Sequence, residues 1–251
     1  MSRTRRLASI YARIGRTYVS RAPSLLLLAI AVFAPLGLLD AIAAEVSVDS
    51  LNVTNGLQIA AAVGAAAAIT VTGLLGEVFY SGAVAVSLTH PEHEKAPPIS
   101  EVARRLDYRR LILVDLAYVV IVIVGLLLFV VPGMLAFVWF GLSGPVVEIE
   151  KRTVRGALVR SLKLVRGNFW AVFLVLAPVE LVGDGVAGLV GGLVHDLLGH
   201  SLFATWMAES LSNIVFTPVF AVAAVLLTLD LIAEKAGGGT RLNPAPATAA
   251  A

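Results

Sequence analysis

Long apolar stretches separated by short basic segments set the pattern of the chain. Six stretches are almost entirely apolar and run over residues 23–44, 57–88, 111–131, 134–147, 169–194 and 202–232. A helix needs about 20 apolar residues to cross a hydrocarbon core of about 30 Å. Hydrocarbon also demands that the backbone satisfy its own hydrogen bonds, which a helix does within one segment. The pattern therefore predicts an all-α fold, a polytopic membrane protein with a six-transmembrane-helix bundle.

Glycine and proline mark the predicted turns between these spans. Pro132 and Gly133 are expected to break the helix between the third span and the shorter fourth span. Gly144-Pro145 is expected to break the fourth span near its end, and Gly167 to let the following segment turn into the fifth span. The third and fourth spans are thus predicted to form a tight hairpin.

The composition agrees with this pattern and excludes several classes of protein. The 251 residues are 58% hydrophobic and 14% charged, whereas soluble domains carry about 25% charged residues. A water-soluble globule of this length could not bury so much apolar surface, so an ordinary soluble enzyme, a nucleic-acid-binding domain and a disordered chain are excluded. The chain has no cysteine, which excludes disulfides and thiolate chemistry.

The basic residues predict how the bundle is oriented. All 19 Lys and Arg residues fall into four groups, over residues 3–21, 95–110, 151–166 and 235–241. With six spans these groups share one side of the membrane, and the three connections on the other side have no Lys or Arg. Since short basic loops stay in the cytoplasm, both termini are predicted to be cytoplasmic, in a bacterial inner (plasma) membrane.

Three of the basic groups have the periodicity of amphipathic helices, the shortest of them over residues 100–110. Residues 1–22 are predicted to form a basic interfacial helix, and a second such helix is predicted to begin after Thr153 as its N-cap. Such cytoplasmic helices either anchor the protein and fix its orientation or bind anionic phospholipid headgroups. Both interpretations remain open. The candidate anionic-lipid contacts are the basic residues of the second helix: Arg152, Arg155, Arg160, Lys163 and Arg166.

Residues 131–170 also carry motifs of a known family. They comprise Pro132-Gly133, Gly144-Pro145 and the spaced run Ala157-Leu158, Ser161, Leu164 and Gly167. This region resembles the membrane domain of some bacterial glycerophosphoryl diester phosphodiesterases and of related stand-alone six-span bacterial proteins. In the fused proteins a separate soluble barrel carries hydrolysis, and this chain has no such domain. The resemblance implies a membrane module and transfers no catalytic residue.

Acidic residues at membrane depth are the main candidates for chemistry, because each one is costly to bury there. Glu180 and Asp184 lie one turn apart in the fifth span, and Gly188 continues the same row. Glu209 and Asn213 form a row in the sixth span, at matching heights in an antiparallel pair. The four polar residues predict either a proton or cation site or a set of neutral acids that hold the helices together. Both interpretations are consistent with the sequence.

Other polar residues are given structural interpretations. Glu77 and Asp115 are expected to pair with arginines of the segment 104–110 at the membrane surface, and Asp230 and Glu148 to form similar ion pairs. An Ala41-Ile42-Ala43 sequence after the first apolar run resembles a signal-peptidase site, but the 22 residues before that run are long for a signal peptide, which favours an uncleaved chain.

Neither a metal nor a cofactor is predicted. His90, Glu92, His93 and Glu94 form a dense group of ligand-type residues, but their spacing matches no strong metal motif. The chain also has no phosphate-binding glycine loop. The tail, residues 236–251, is rich in Gly, Pro and Ala and is predicted to be disordered.

These features predict a non-catalytic membrane module that organises or regulates lipids or partner proteins. Its predicted partners are the lipid bilayer, anionic phospholipids and a membrane protein or a second copy of the chain, with no nucleic acid. The alternative is a small ion or solute transporter or channel that uses the intramembrane acids. An enzyme acting on lipid phosphodiesters is a third interpretation, which depends on the resemblance alone.

Overall fold

The protein is all-α. The computed structural model describes residues 3–46, 76–89, 97–199 and 201–237. Within these ranges the chain forms nine helices and no strand. They are α1 (Arg3–Val46), α2 (Glu77–Leu88), α3 (Ile99–Arg105), α4 (Tyr108–Leu128), α5 (Val130–Phe140), α6 (Ser143–Glu150), α7 (Val154–Val165), α8 (Phe169–Leu198) and α9 (Leu202–Lys235).

Several helices are long and apolar enough to cross a membrane, which makes this a multi-pass membrane protein. The described chain contains five such segments: Leu7–Leu39, Tyr108–Leu128, Val130–Glu150, Phe169–Leu198 and Leu202–Lys235. They correspond to five of the six predicted spans. The remaining predicted span covers residues 57–88. Residues 57–75 of it lie outside the described residues, and α2 is the helix in its described part. Most of the connection between the first and second predicted spans also lies outside the described residues. So does the predicted tail, apart from Ala236 and Gly237.

The first helix is continuous where two elements were expected. α1 runs without a break through Pro23 and Pro35, so the predicted boundary between an interfacial helix (1–22) and a first span is not a helix end. At 1.5 Å per residue α1 is about 66 Å long, more than the 40–45 Å of a whole bilayer. Prolines are tolerated in such helices because neighbouring groups satisfy the freed carbonyls.

The two longest helices, α1 and α9, pack against each other in antiparallel directions. Near the start of α1, Arg13 forms a two-pronged ion pair with Asp230, with Nη1 2.9 Å from Oδ2. Towards its other end, the Trp206 indole N–H donates to the Ala34 carbonyl oxygen over 2.9 Å. The start of α1 and the end of α9 therefore lie at the same end of the bundle, as the charge pattern predicted.

Both predicted proline breaks are displaced by a few residues. The hairpin between α4 and α5 turns at Phe129, whose backbone is extended, and Pro132 lies in the first turn of α5. The chain likewise turns at Gly141–Leu142, and Pro145 lies in the first turn of α6. The cause is general: a residue in the first turn of a helix needs no N–H donor, so proline starts these helices instead of ending the preceding ones.

Glycines allow the closest helix contacts. A Cβ at Gly144 of α6 would overlap the Val78 carbonyl oxygen of α2, and a Cβ at Gly82 of α2 would overlap the Leu111 side chain. In the hairpin, a Cβ at Gly125 would lie 2.8 Å from the Gly133 Cα. Small residues are the usual means by which membrane helices approach closely.

The amphipathic helix α7 lies against the bundle. Thr153 caps it by accepting a hydrogen bond from the Gly156 N–H over 3.3 Å, as predicted. Ala157 and Leu164 are fully buried, and the Ser161 hydroxyl donates to the Trp139 carbonyl oxygen over 2.7 Å. Its apolar face therefore packs on protein, and the basic residues are left on the outer side.

The helix α2 begins inside the bundle, directly after a position that requires glycine. Gly76 has φ +96°, and a Cβ there would lie 2.7 Å from a methyl group of Leu36. The backbone N–H groups of Gly76 and Val78 donate to the Asp115 carboxylate over 2.7 and 3.1 Å. Asp115 is only 3% exposed. It supplies the acceptors that the N-terminus of a buried helix cannot obtain from water.

Replacing Gly144 by alanine is expected to destabilise the protein by about 1–3 kcal/mol, because the new methyl group would force α6 away from α2. The matched control is Gly15→Ala in α1, where a Cβ meets nothing within 4 Å in the described chain. That change should leave stability unchanged or raise it slightly. Thermal unfolding of both variants in detergent, followed by tryptophan fluorescence, checks this; equal midpoints would contradict the close contact.

Asp115→Ala is expected to cost about 1–3 kcal/mol for each N–H group left without an acceptor. Asp115→Asn keeps one acceptor oxygen and should recover part of the loss. Glu101→Ala removes an acid from an exposed pair with Arg105 and should cost about 0.3–0.5 kcal/mol. Denaturant titration in mixed micelles gives the three free energies of unfolding. An Asp115→Ala loss no larger than that of Glu101→Ala would refute the capping role.

Candidate functional site

Three helices enclose a small polar cavity in the bundle. It has a volume of about 50 Å³ and lies between α2, α8 and α9. Its polar lining consists of Glu77, Glu180, Asp184, Ser212, Asn213 and Thr217. Three of the four residues predicted as an intramembrane polar site, Glu180, Asp184 and Asn213, therefore line one cavity.

The fourth predicted residue lies outside this group. Glu209 is exposed on α9, one turn from Asn213, and does not line the cavity. In its place the structure adds Glu77 from α2, which the sequence analysis had assigned to a surface ion pair. The signal that could have found it was present: a glutamate inside a long apolar stretch is costly and needs a specific partner.

Glu77 is the most deeply buried acid of the cavity. It lies in the first turn of α2, directly after Gly76, and is 6% exposed. Its Oε2 atom is buried and receives no hydrogen bond from any donor in the described ranges. The Glu180 carboxyl lies close enough to Glu77 for a hydrogen bond between the two side chains. The start of α2 thus places one carboxyl directly against another.

The predicted pairing of Glu77 and Asp115 with arginines is wrong. Arg105 pairs instead with Glu101 over 2.8 Å, and Arg110 with Asp107 over 3.1 Å. On α4, Asp115 lies more than one turn beyond Arg110, so its carboxylate reaches the interior end of α2 instead of the surface. The other two predicted pairs are present, since Asp230 binds Arg13 and Glu148 binds Lys151 over 2.5 Å.

The glycines that continue the row of Glu180 and Asp184 on α8 are not covered by another helix of the described chain. Beside that row, a Cβ at Gly183 would lie 3.6 Å from Phe216 of α9, an ordinary contact. At Gly188 and Gly192, by contrast, a Cβ would meet nothing within 4 Å in the described part of the chain. Asp184, in the same row, is exposed at the edge of the cavity. The cavity is therefore closed on the Glu77 side and open on the Asp184 side among these residues.

The predicted lipid-contact residues divide into two sets. Arg152 and Arg160 both bind Glu150, over 2.9 and 2.8 Å. Arg155, Lys163 and Arg166 are exposed and form no ion pair within the described ranges. Three of the five basic side chains therefore remain available to an anion from outside.

A larger groove lies beside this basic helix. It has a volume of about 470 Å³ and is lined mainly by apolar side chains of α1, α5, α8 and α9, among them Leu7, Leu135 and Leu227. Arg166 and Asn168, in the turn between α7 and α8, contribute polar groups to its lining. An apolar groove with a few polar groups at one end is the usual form of a site for an amphipathic molecule.

Aromatic side chains surround the same turn. Phe169, Trp170 and Phe173 contact one another with ring centroids 5.5–6.0 Å apart. Trp170 also lines the groove and is 60% exposed. Exposed tryptophans next to basic residues are typical of the boundary between hydrocarbon and headgroups. The groove therefore opens where such a boundary is expected.

The ligand-type residues at 90–94 lie outside the described residues. Within the described ranges, no group of three or more His, Cys, Asp or Glu side chains is placed to hold a metal ion. The acids of the cavity are arranged as a pair, Glu77 and Glu180, with the Asp184 carboxyl nearby.

Comparison with known proteins gives no match: no protein-family model, no curated protein and no solved structure is similar to the chain. The resemblance of residues 131–170 to the phosphodiesterase membrane domain stays a prediction. The acidic cavity and the basic end of the bundle are therefore the two features that bear on function.

Proposed function

We propose that the protein is a non-catalytic integral membrane module that binds anionic phospholipid at the basic end of its bundle. The observation that carries the proposal is the 470 Å³ groove, whose mainly apolar lining includes the polar side chains of Arg166 and Asn168. A phospholipid has the matching division into acyl chains and a charged headgroup. The proposed ligand is one that the surrounding bilayer supplies.

The charges around the groove support an anionic headgroup. Arg166 is exposed and Lys163 lies one turn before it on the same basic helix. Each basic residue near an anionic membrane surface contributes about 1 kcal/mol to binding. Asp230 lies in the groove lining, but its charge is compensated by Arg13. The local balance therefore favours a negative ligand.

The proposed setting is a bacterial inner membrane with the basic end in the cytoplasm. The ion pair between Arg13 and Asp230 supports placing both termini on one side, because it joins the start of α1 to the end of α9. The excess of Lys and Arg at that end supports the cytoplasmic side. The exposed basic face of α7 then meets the anionic inner leaflet.

An alternative function, transport of an ion or solute, is supported by the acid-lined cavity between α2, α8 and α9. Flux in proteoliposomes separates the two functions. A transporter shows flux that Asp184→Asn abolishes, whereas the lipid-binding module shows none.

Lipid retention tests the proposed function. In nanodiscs with equal amounts of phosphatidylglycerol and phosphatidylcholine of the same acyl chains, native mass spectrometry should find the protein retaining phosphatidylglycerol preferentially. Lys163→Gln and Arg166→Gln should each weaken retention about fivefold, the equivalent of 1 kcal/mol. Arg105→Gln, in an exposed ion pair on α3, is the matched control and should change little.

A second variant tests the groove itself without changing charge. Ala171 lines it, and Ala171→Trp fills part of its volume, so this variant should lose retained lipid while keeping its net charge. Equal retention of the two lipids by the unmodified protein, or a co-purified protein in place of lipid, would contradict the proposal. Any change in the mass of the retained lipid would show turnover and contradict a non-catalytic role.

The absence of cysteine allows a clean test of orientation. A single cysteine at Arg155, on the basic helix, should react with a membrane-impermeant maleimide only after cells are opened. One at Asp196, exposed near the opposite end of α8, should react in intact cells. The reverse pattern would place the basic end outside the cytoplasm.

A further inference from the structure

Glu77 places an acid deep in the bundle without an obvious structural role. Asp115 accepts from the N–H groups of Gly76 and Val78, so α2 already has a carboxylate cap without the Glu77 side chain. The Glu77 side chain is buried and lines the cavity. Its Oε2 atom receives no hydrogen bond from a donor in the described ranges. A buried polar atom of this kind needs an explanation.

The groups that face Glu77 are acidic or neutral. α8 contributes Glu180 and Asp184, α4 contributes Asp115 and Tyr118, and α9 contributes Asn213 and Thr217. The charged groups on the other helices packed against α2 lie elsewhere. Arg21 of α1 reaches the far end of α2, where it donates to the Ser87 carbonyl oxygen, and the two glutamates of α6 are paired with Lys151, Arg152 and Arg160.

The chain described here therefore brings no basic side chain to this cavity. An ionised carboxylate in an apolar surrounding is costly unless a cation or a donor compensates it. Two carboxyl groups in hydrogen-bond contact cannot both be ionised without strong repulsion, so one proton between them is the least costly arrangement. Their titration then belongs to the pair and not to either residue.

The cavity also connects this pair to a more accessible acid. Asp184 lies one turn after Glu180 on α8 and is exposed, while Glu77 is enclosed. A water molecule needs roughly 10–15 Å³ of such volume, so the 50 Å³ cavity can hold a few waters. Asn213 and Thr217 offer them hydrogen-bond partners on the α9 side. A proton can thus pass between Asp184 and the buried pair.

We propose that Glu77 and Glu180 form a proton-binding site inside the bundle, which exchanges its proton with the surroundings through Asp184. The shared proton lies on the Glu77 or Glu180 carboxyl, and Asp184 accepts it on release. The proposed ligand is a proton, because one proton between two carboxyl groups in contact relieves their repulsion. This site lies apart from the lipid groove and does not depend on it.

Infrared difference spectroscopy of the protein in phosphatidylcholine nanodiscs tests the site. A buried protonated carboxyl gives a C=O band that shifts down in D₂O and disappears in alkaline buffer. Glu77→Gln and Glu180→Gln should each remove this band, since the proton is shared. Glu209→Gln is the matched control: this acid is exposed on α9 and does not line the cavity, so the band should remain.

The exchange route has its own measurement. Asp184→Asn should keep the band and slow its exchange in D₂O at least severalfold, because the pair loses its outward proton acceptor. If the band exchanges at an unchanged rate in this variant, the assigned route is wrong.

The unmodified protein provides a result even where a glutamine variant does not fold. Absence of an exchangeable carboxyl band in that protein at every pH would overturn the site. So would loss of the band in Glu209→Gln together with its survival in Glu77→Gln or Glu180→Gln. Displacement of the band by sodium chloride but not by choline chloride would assign the site to a metal cation instead.

Discussion

The rest of the structure depends on one constraint: a helix that begins inside an apolar bundle must find acceptors for its first N–H groups. Asp115 supplies them for α2, with contacts to Gly76 and Val78. Water cannot take this role in the bundle, so the carboxylate fixes both the height and the direction of α2 against α4. Gly144 and Gly82 then let α6 and α2 come into close contact. The position of Glu77 follows, because it is the first residue of that helix.

Packing between the helices follows from the solvent. Lipid is as apolar as a leucine side chain, so helices in a membrane gain little from burying leucine against each other. Close contact and polar bonds have to supply the specificity. α1 and α9 accordingly meet through Arg13 and Asp230 at one end and through Trp206 and Ala34 at the other. Gly82 and Gly144 bring α2 and α6 into close contact with each other, and α2 also packs against α9.

Sequence alone predicted the parts of this fold that depend on local pattern. The positions of five spans follow from apolar length, the cap at Thr153 from residue type, and the pairing of Asp230 and Glu148 from their place at basic ends. Contacts between distant residues were not predictable. Nothing local indicates that Asp115 should meet a backbone 39 residues earlier. For the same reason Glu180 and Asn213 were matched from helix heights, whereas Glu77 was assigned to a surface that it does not reach.

Two groups of acids in the described chain differ in their surroundings. Glu148, Glu150 and Asp230 lie at the basic end, where each has an arginine or lysine partner. The acids of the cavity lie along α8 and α2, beyond the reach of those bases. The small net charge of +2 therefore hides a separation: basic residues are in excess at one end, and the acids of the interior cavity have no basic side chain beside them in the described chain. Charge at the basic end can be balanced by the chain and by anions of the membrane, whereas the described chain brings no basic side chain to the acids that line the 50 Å³ cavity.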